Sequence, residues 1–230
     1  MGDQDIKVKR VDAKNVSFRG DAGDHTHWPN AAHHAPERSR GESDGSRRVF
    51  VIHGRDEEAR IALFDLLRAL GLQPLEWEQL VRDTGAGAPS LAEIVSDAAR
   101  GAQAVVALLT PDDVVALHPS LRTVEDAEDE QAVGCQARPN VYLELGMALA
   151  ACPDRTIIVE AGATRRPADL AGLNYIRIDK TAGWCNKLAE RLRSAGCPVD
   201  RAGTDWQRTS RFTWLAAHDR RPPRAYDRRW

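Results

Sequence analysis

Between Val49 and Ala195, short β-rich runs alternate with segments of helical period. That alternation limits the available folds more than any other feature of the chain. VFVIH (49–53) is followed by Asp56 to Leu70, where Ala59, Leu63, Leu66, Leu67 and Leu70 recur at helical spacing and Gly71 closes the run. Gln73 to Trp77 reads as a second strand. Ser90-Leu-Ala-Glu93 is a capping box that opens another helix. AVVALLT (104–110) is the most apolar run and predicts a strand buried on both faces. Thr110-Pro111-Asp112-Asp113 predicts a helix start, with Thr110 as N-cap and proline in the first turn. Pro139 opens a helix to about Ala151; TIIVE (156–160) and YIRI (175–178) add two strands; Gly183 to Ala195 is the last helix, ended by Gly196. The order predicts an α/β fold with a five-stranded parallel, doubly wound sheet, helices on both faces, and ligands at the carboxyl ends of the strands.

The flanks differ from this middle. The organisation expected is an arm at 1–47, a nucleotide-binding α/β domain at 48–200, and a basic aromatic tail at 201–230. The arm is mostly polar and reads as disordered, although Ile6, Val8, Val11, Val16 and Phe18 alternate well enough for a short β-ribbon at 6–18. Charge is divided unequally. Residues 49–200 carry 15 Lys+Arg against 23 Asp+Glu, and residues 201–230 carry 8 against 3. An acidic middle is a poor match for nucleic acid, whose affinity comes from neutralising phosphates. Arginines interleaved with Trp206, Phe212, Trp214, Tyr226 and Trp230 could grip a single strand, but a solvated tail docked by a tryptophan is the commoner use. No run reaches the ~18 apolar residues of a membrane span, and the N-terminus lacks an apolar signal region. Four scattered cysteines without a CxxC pair suit a reducing, cytoplasmic location and no metal site. His25, His27, His33 and His34 lie in the arm and read as adventitious ligands at most. Glu125 to Glu130 reads as a solvated acidic loop.

The most informative segment for chemistry is Arg138 to Ala151. From Pro139 to Pro153 the only charged residue is Glu144, set mid-helix among apolar neighbours. A carboxylate there is costly unless paired, or its pKa rises. It is a candidate catalytic group or a structural Glu bonded to a nearby loop. Asn140 lies one turn earlier on the same face. Gly146 in the helix interior suggests close packing or a ligand. His53-Gly54-Arg55-Asp56 forms the turn after the first strand, where backbone N–H groups and a cation can hold a phosphate. Trp77 ends the second strand and could stack on a base or pack inside. The stretch Glu78 to Pro89 reads as a flexible loop able to fold over a site. Asp112 and Asp113 are helix-start acids, one of which could face the crevice. No dinucleotide glycine fingerprint, P-loop or GxSxG is present.

VFVIHGRDEEA, the LEW of strand two, ALLTPDD and RPNVYLELGMALA occur in the order seen in bacterial TIR-like domains. Over roughly residues 48–180 the chain resembles the TIR effectors of CBASS and Pycsar anti-phage systems. The resemblance implies a flavodoxin-like TIR fold and cleavage of NAD⁺ at the nicotinamide–ribose bond, with NAD⁺ as substrate and no cofactor. It implies Glu144 as the catalytic residue. His53, Gly54, Arg55, Trp77, Asp112 and Asn140 are then the candidate substrate-binding residues. It also implies a homo-oligomer formed through the TIR domains, and an upstream sensor or cyclic-nucleotide-linked partner. The chain departs from family effectors in having no sensor domain after residue 200, and in the long acidic insert 117–136. Two other readings compete. One is a non-catalytic TIR-type nucleotide-binding or interaction module; the other is a nucleoside deoxyribosyltransferase-like enzyme.

Overall fold

The computed structural model describes residues 45–87, 89–124, 132–170 and 172–223. The expected ribbon at 6–18, the histidines of the arm, the acidic run 125–130, Tyr226 and Trp230 lie outside the described residues.

The elements follow in chain order as β1 (Arg48–His53), α1 (Glu57–Ala69), β2 (Gln73–Pro74), α2 (Trp77–Asp83) and α3 (Leu91–Gly101). Then come β3 (Ala104–Leu109), β4 (Asp113–Val115), β5 (Gly134–Gln136) and α4 (Pro139–Ala151). The chain continues through β6 (Thr156–Ala161), β7 (Tyr175–Ile178), α5 (Gly183–Ser194) and a short α6 (Ser210–Thr213). The main sheet has five strands in the order β2-β1-β3-β6-β7, all parallel. This is the α/β architecture expected from the sequence, and it is consistent with the TIR fold. The strand order reverses direction between β1 and β3, which leaves a crevice at their carboxyl ends.

Strand alternation divides the core between the two faces. Val49 and Val51 of β1, with Ala104, Val106 and Leu108 of β3, face α1 and α5. Phe50 and Ile52, with Val105, Ala107 and Leu109, face α3 and α4. Every residue of β3 is buried, as expected of a central parallel strand. Helix α1 starts where Asp56 accepts a hydrogen bond from the Ala59 amide at 3.0 Å, and the chain leaves it through Gly71 at a φ of 73°. The Ser90–Glu93 capping box opens α3.

Two segments depart from the sequence reading. No helix starts at Thr110. Instead the Asp112 amide donates to Gln136 O at 3.0 Å, and β4 pairs antiparallel with β5 as a two-stranded sheet. The Thr110 hydroxyl donates to Asp112 Oδ1 at 2.7 Å rather than capping a helix. The second strand is also shorter than expected. Pairing of β2 with β1 covers Gln73 and Pro74, with one further bond from the Leu75 amide to Val49 O. Pro74 cannot donate to a ladder, and the chain turns at Glu76 into α2, so Trp77 begins a helix rather than ending a strand, and residues 78–83, expected as the start of a flexible loop, are helical.

The segment after α5 packs onto the α1/α5 face. Trp206, Phe212, Leu215 and Ala217 are buried in that core, and the Phe212 ring meets Trp184 edge-on at 4.5 Å. Trp214 stays 85% exposed. Cys135, Cys152, Cys185 and Cys197 are free and buried, and burial pushes the thiols of Cys185 and Cys197 up to about 11. Among the described residues no helix is long and apolar enough to cross a membrane.

Candidate functional site

Helix α4 carries Glu144 into place. Pro139 occupies its first turn, and Val141, Leu145 and Ala148 bury one stripe against the sheet and α3. Glu144 lies beside that stripe and is half-buried. Its carboxylate has no hydrogen-bond or ion-pair partner among the described residues, and burial alone pushes its pKa up to about 7. Gly146 sits differently from the sequence expectation. A Cβ placed there would meet nothing within 4 Å, so neither close packing nor a wall of the site explains this glycine.

Glu144 faces a cleft of about 330 Å³ at the carboxyl end of β1. His53 and Phe50 form one wall; Glu57, Arg60 and Phe64 of α1 form the second; Leu75, Glu76 and Trp77 form the third. Trp77 is 44% exposed, so its ring is available to a ligand while its edge packs. The Nδ1 of His53 lies 3.0 Å from the Gly54 carbonyl, which can only accept, so that nitrogen carries the proton of the bond. The ring meets Phe64 edge-on at 6.2 Å.

Arg60 organises the acidic side of the cleft. Its Nε donates to Glu57 Oε2 at 2.9 Å, its Nη1 reaches Glu76 Oε2 at 3.4 Å, and its guanidinium lies 5.0 Å from the Phe64 centroid. Arg68 donates to the other oxygen of Glu76 at 2.9 Å. The hydrogen bond from Arg60 holds the Glu57 carboxyl below the usual carboxylate range. Glu57, Arg60 and Glu76 were not singled out in the sequence. The i,i+3 spacing of Glu57 and Arg60 was visible there. Their convergence with Glu76 on one wall depends on how β2 enters α2, which local pattern does not encode.

The remaining candidate residues occupy neighbouring positions. Gly54 lies in the turn after β1, and a Cβ there would overlap the Asp112 carboxylate. Asp112 Oδ2 accepts from the Arg55 amide at 2.8 Å and Oδ1 accepts from Thr110. Arg220 pairs with Asp56 Oδ2 at 2.9 Å and lies 3.7 Å from Asp112 Oδ1; both acid side chains are 4% exposed. Asp112 thus ties the β1 turn to the end of β3. The Arg55 side chain is exposed and has no ion-pair partner among the described residues. Asn140 is exposed on the first turn of α4 and does not line the Glu144 cleft. The cleft therefore gathers Glu144, His53 and Trp77, with Gly54, Arg55 and Asp112 in the adjoining turn and Asn140 apart.

Comparison with known proteins adds to this geometry. The chain is 27% identical over 157 residues to the Escherichia coli (strain K12) protein described as "Uncharacterized protein YuaY". The alignment takes in 68% of this chain and 48% of that relative, so the chain spans about half the relative's length. A family model described as "CAP12/Pycsar effector protein, TIR domain" matches residues 48–180, from the first residue of β1 to just past β7. That match covers more than half of the chain and includes Glu144 and all of its cleft, so the chain belongs to the CAP12/Pycsar effector TIR-domain family.

Proposed function

We propose that this chain is an NAD⁺ glycohydrolase, acting as a defence effector that is switched on when copies assemble through their TIR domains. The observation that carries the reading is the unpartnered, half-buried carboxylate of Glu144 in a cleft on a TIR domain. A structural glutamate in such a place is ordinarily compensated by a hydrogen-bond donor. Among the described residues Glu144 has none, so its carboxylate is available to a substrate.

The lining suits the nicotinamide–ribose half of NAD⁺. Departure of neutral nicotinamide breaks the bond from its nitrogen to ribose C1′ and leaves a ribosyl cation. An ionised Glu144 beside C1′ stabilises that cation and can orient an incoming water or the ribose hydroxyls. The bond electrons leave with nicotinamide; water supplies the new oxygen at C1′ and releases one proton, giving ADP-ribose. Among the described residues Glu57, Glu76 and Glu144 stand against Arg60 in the lining and Arg68 beside it, an acidic balance that favours a cationic ring over a pyrophosphate. Trp77 offers the face on which the ring stacks. The pyrophosphate is then left to Arg55, at the exposed end of the adjoining turn, and to the backbone beside it.

The test is nicotinamide release from NAD⁺ by wild type and Glu144→Gln, each assayed dilute and concentrated. The reading expects turnover that rises more steeply than protein concentration in the wild type. It expects at least a thousandfold loss in the variant, with near-UV circular dichroism unchanged. Binding of NAD⁺ with no release at any concentration would overturn it in favour of a binding module. Base exchange on deoxynucleosides without NAD⁺ cleavage would overturn it in favour of the deoxyribosyltransferase-like reading.

A further inference from the structure

A second cleft, of about 370 Å³, opens between the β4–β5 hairpin and the loop after β6. Among the described residues it shares no lining residue with the Glu144 cleft, and its character is opposite. Its walls are Val115 to Leu117 and Gln136 on the hairpin side, and Arg165 to Ala168 on the loop side. Among the described residues two arginines line it and no carboxylate does. This is a cationic hollow in a stretch of chain with a clear acidic excess.

The loop that carries the arginines is held firmly. Glu160, fully buried at the end of β6, accepts from Thr164, from Arg166 Nε at 3.1 Å and from Arg177 Nη2 at 3.0 Å. Burial pushes the Glu160 carboxyl up, but these donors and the Arg166 charge outweigh it and hold it ionised below the usual range. One carboxylate thus faces two guanidinium groups, which leaves the knot with a net positive charge. Arg166 also lies 4.1 Å over the Tyr175 ring. Arg165 is fixed through its backbone: its amide donates to Cys135 O at 2.6 Å and its carbonyl accepts from the Tyr142 hydroxyl at 3.2 Å. The side-chain stem lies over Gly134, whose Cβ position is 3.6 Å from Arg165 Cβ.

These bonds leave two donors over. Among the described residues neither the Arg165 guanidinium nor the Gln136 side-chain amide has a hydrogen-bond or ion-pair partner, and both are half-buried in the cleft wall. A guanidinium presents a planar fork of donors matched to phosphate oxygens, and an amide beside it adds another donor. The volume exceeds that of a bare phosphate and falls within the small-molecule range of roughly 300–1,000 Å³. The apolar side chains of Val115, Leu117 and Pro167 can receive the rest of such a ligand.

We propose that this second cleft is a binding site for a small phosphate-bearing molecule, with Arg165 and Gln136 as its free donors and Arg166 as a fixed supporting charge. The site takes the ligand's phosphate at Arg165 and its organic body against the hairpin. It stands independently of any chemistry at Glu144.

The experiment is isothermal titration of the full chain with two probes at fixed ionic strength: inorganic phosphate, and ribose 5-phosphate as a phosphate with a body. Wild type, Arg165→Ala, Gln136→Ala and Arg193→Ala are compared, with the fold of each checked by near-UV circular dichroism. The proposal expects saturable one-to-one binding of both probes. It expects at least tenfold weakening by Arg165→Ala, a smaller weakening by Gln136→Ala, and unchanged binding by Arg193→Ala, which removes a surface arginine of α5. Arg165→Lys serves as a second variant, since it keeps the charge and removes the fork; it is expected to bind more weakly than wild type and more tightly than Arg165→Ala. Absence of saturable binding to the wild type would overturn the proposal. So would binding that survives Arg165→Ala.

Discussion

At the residue scale, Glu144 sets stability against function. Its pKa is about 7 in the folded chain and near 4.5 in the unfolded one. A raised carboxyl favours the folded state while it holds its proton, so its contribution is full below pH 4.5 and is lost as pH rises through about 7. Glu144→Gln removes that loss. Discounted for the partial exposure of the group, the variant is expected to be about 1–2 kcal/mol more stable than wild type at pH 8, with the difference vanishing near pH 4. Urea denaturation at the two pH values checks it; a variant less stable than wild type at pH 8 would mean that Glu144 makes a favourable contact when ionised. Glu144 was legible in the sequence because a single charge in an apolar helix stands out. Glu57 and Arg60 were not, because charges on the first turns of a helix are ordinary. The fit between Gly54 and Asp112 was hidden as well, since it joins two loops distant in sequence. Gly54→Ala forces the Asp112 carboxylate to move and is expected to cost about 1–3 kcal/mol in thermal or denaturant unfolding. Gly146→Ala, where a Cβ meets open space on a helix, is expected to stabilise by about 0.5–1 kcal/mol in the same assay.

At the element scale, β1, α1, α3, β3, α4, β6, β7 and α5 were all legible. Each combines a clear period with a cap or stop residue close at hand, as the Asp56 and Ser90 caps illustrate. The two misread segments lack that local consistency. Thr-Pro-Asp-Asp satisfies the rules for a helix start, but Val114 and Val115 favour a strand, and the pairing strand lies at the far end of the acidic insert. The non-local partner wins. The hairpin so formed is anchored by Arg138, the residue before α4, whose Nη1 donates to Asp113 Oδ1 at 3.1 Å. At the second misread segment, Pro74 cuts the edge strand short and α2 starts within three residues. That change moves Trp77 from a strand end to a helix start, which is what turns it towards Glu144. A Trp77→Ala substitution is expected to raise KM for NAD⁺ about tenfold with a smaller effect on kcat, as removal of a stacking surface should. Steady-state nicotinamide release checks it, and an unchanged KM would remove Trp77 from the site.

At the scale of the whole molecule, the segment after α5 belongs to the domain core. Eight arginines among residues 201–230 suggested a solvated tail docked by a tryptophan; Trp206 is docked, and Phe212, Leu215 and Ala217 are buried with it against the α1/α5 face. The signal was present as aromatics and was masked by the surrounding charge. The segment is pinned at its far end as well, where Ala217 O lies where a Cβ of Gly162 would be, and Arg220 reaches Asp56. Phe212→Ala leaves a cavity beside Trp184 and is expected to cost about 3–5 kcal/mol, a loss large enough to unfold a marginal domain. Chemical denaturation followed by tryptophan fluorescence checks it; a cost below about 1 kcal/mol would mean that the segment is dispensable to the core.

The most direct test of the central claim is the pH profile of kcat/KM for nicotinamide release from NAD⁺ between pH 5 and 9. An essential ionised Glu144 predicts a rate that climbs tenfold per pH unit on the acid side and levels off above a midpoint near pH 7, where burial places the carboxyl. A profile flat from pH 5 to 9, or the same rising limb retained in Glu144→Gln, would show that this carboxylate is not the group on which the chemistry turns.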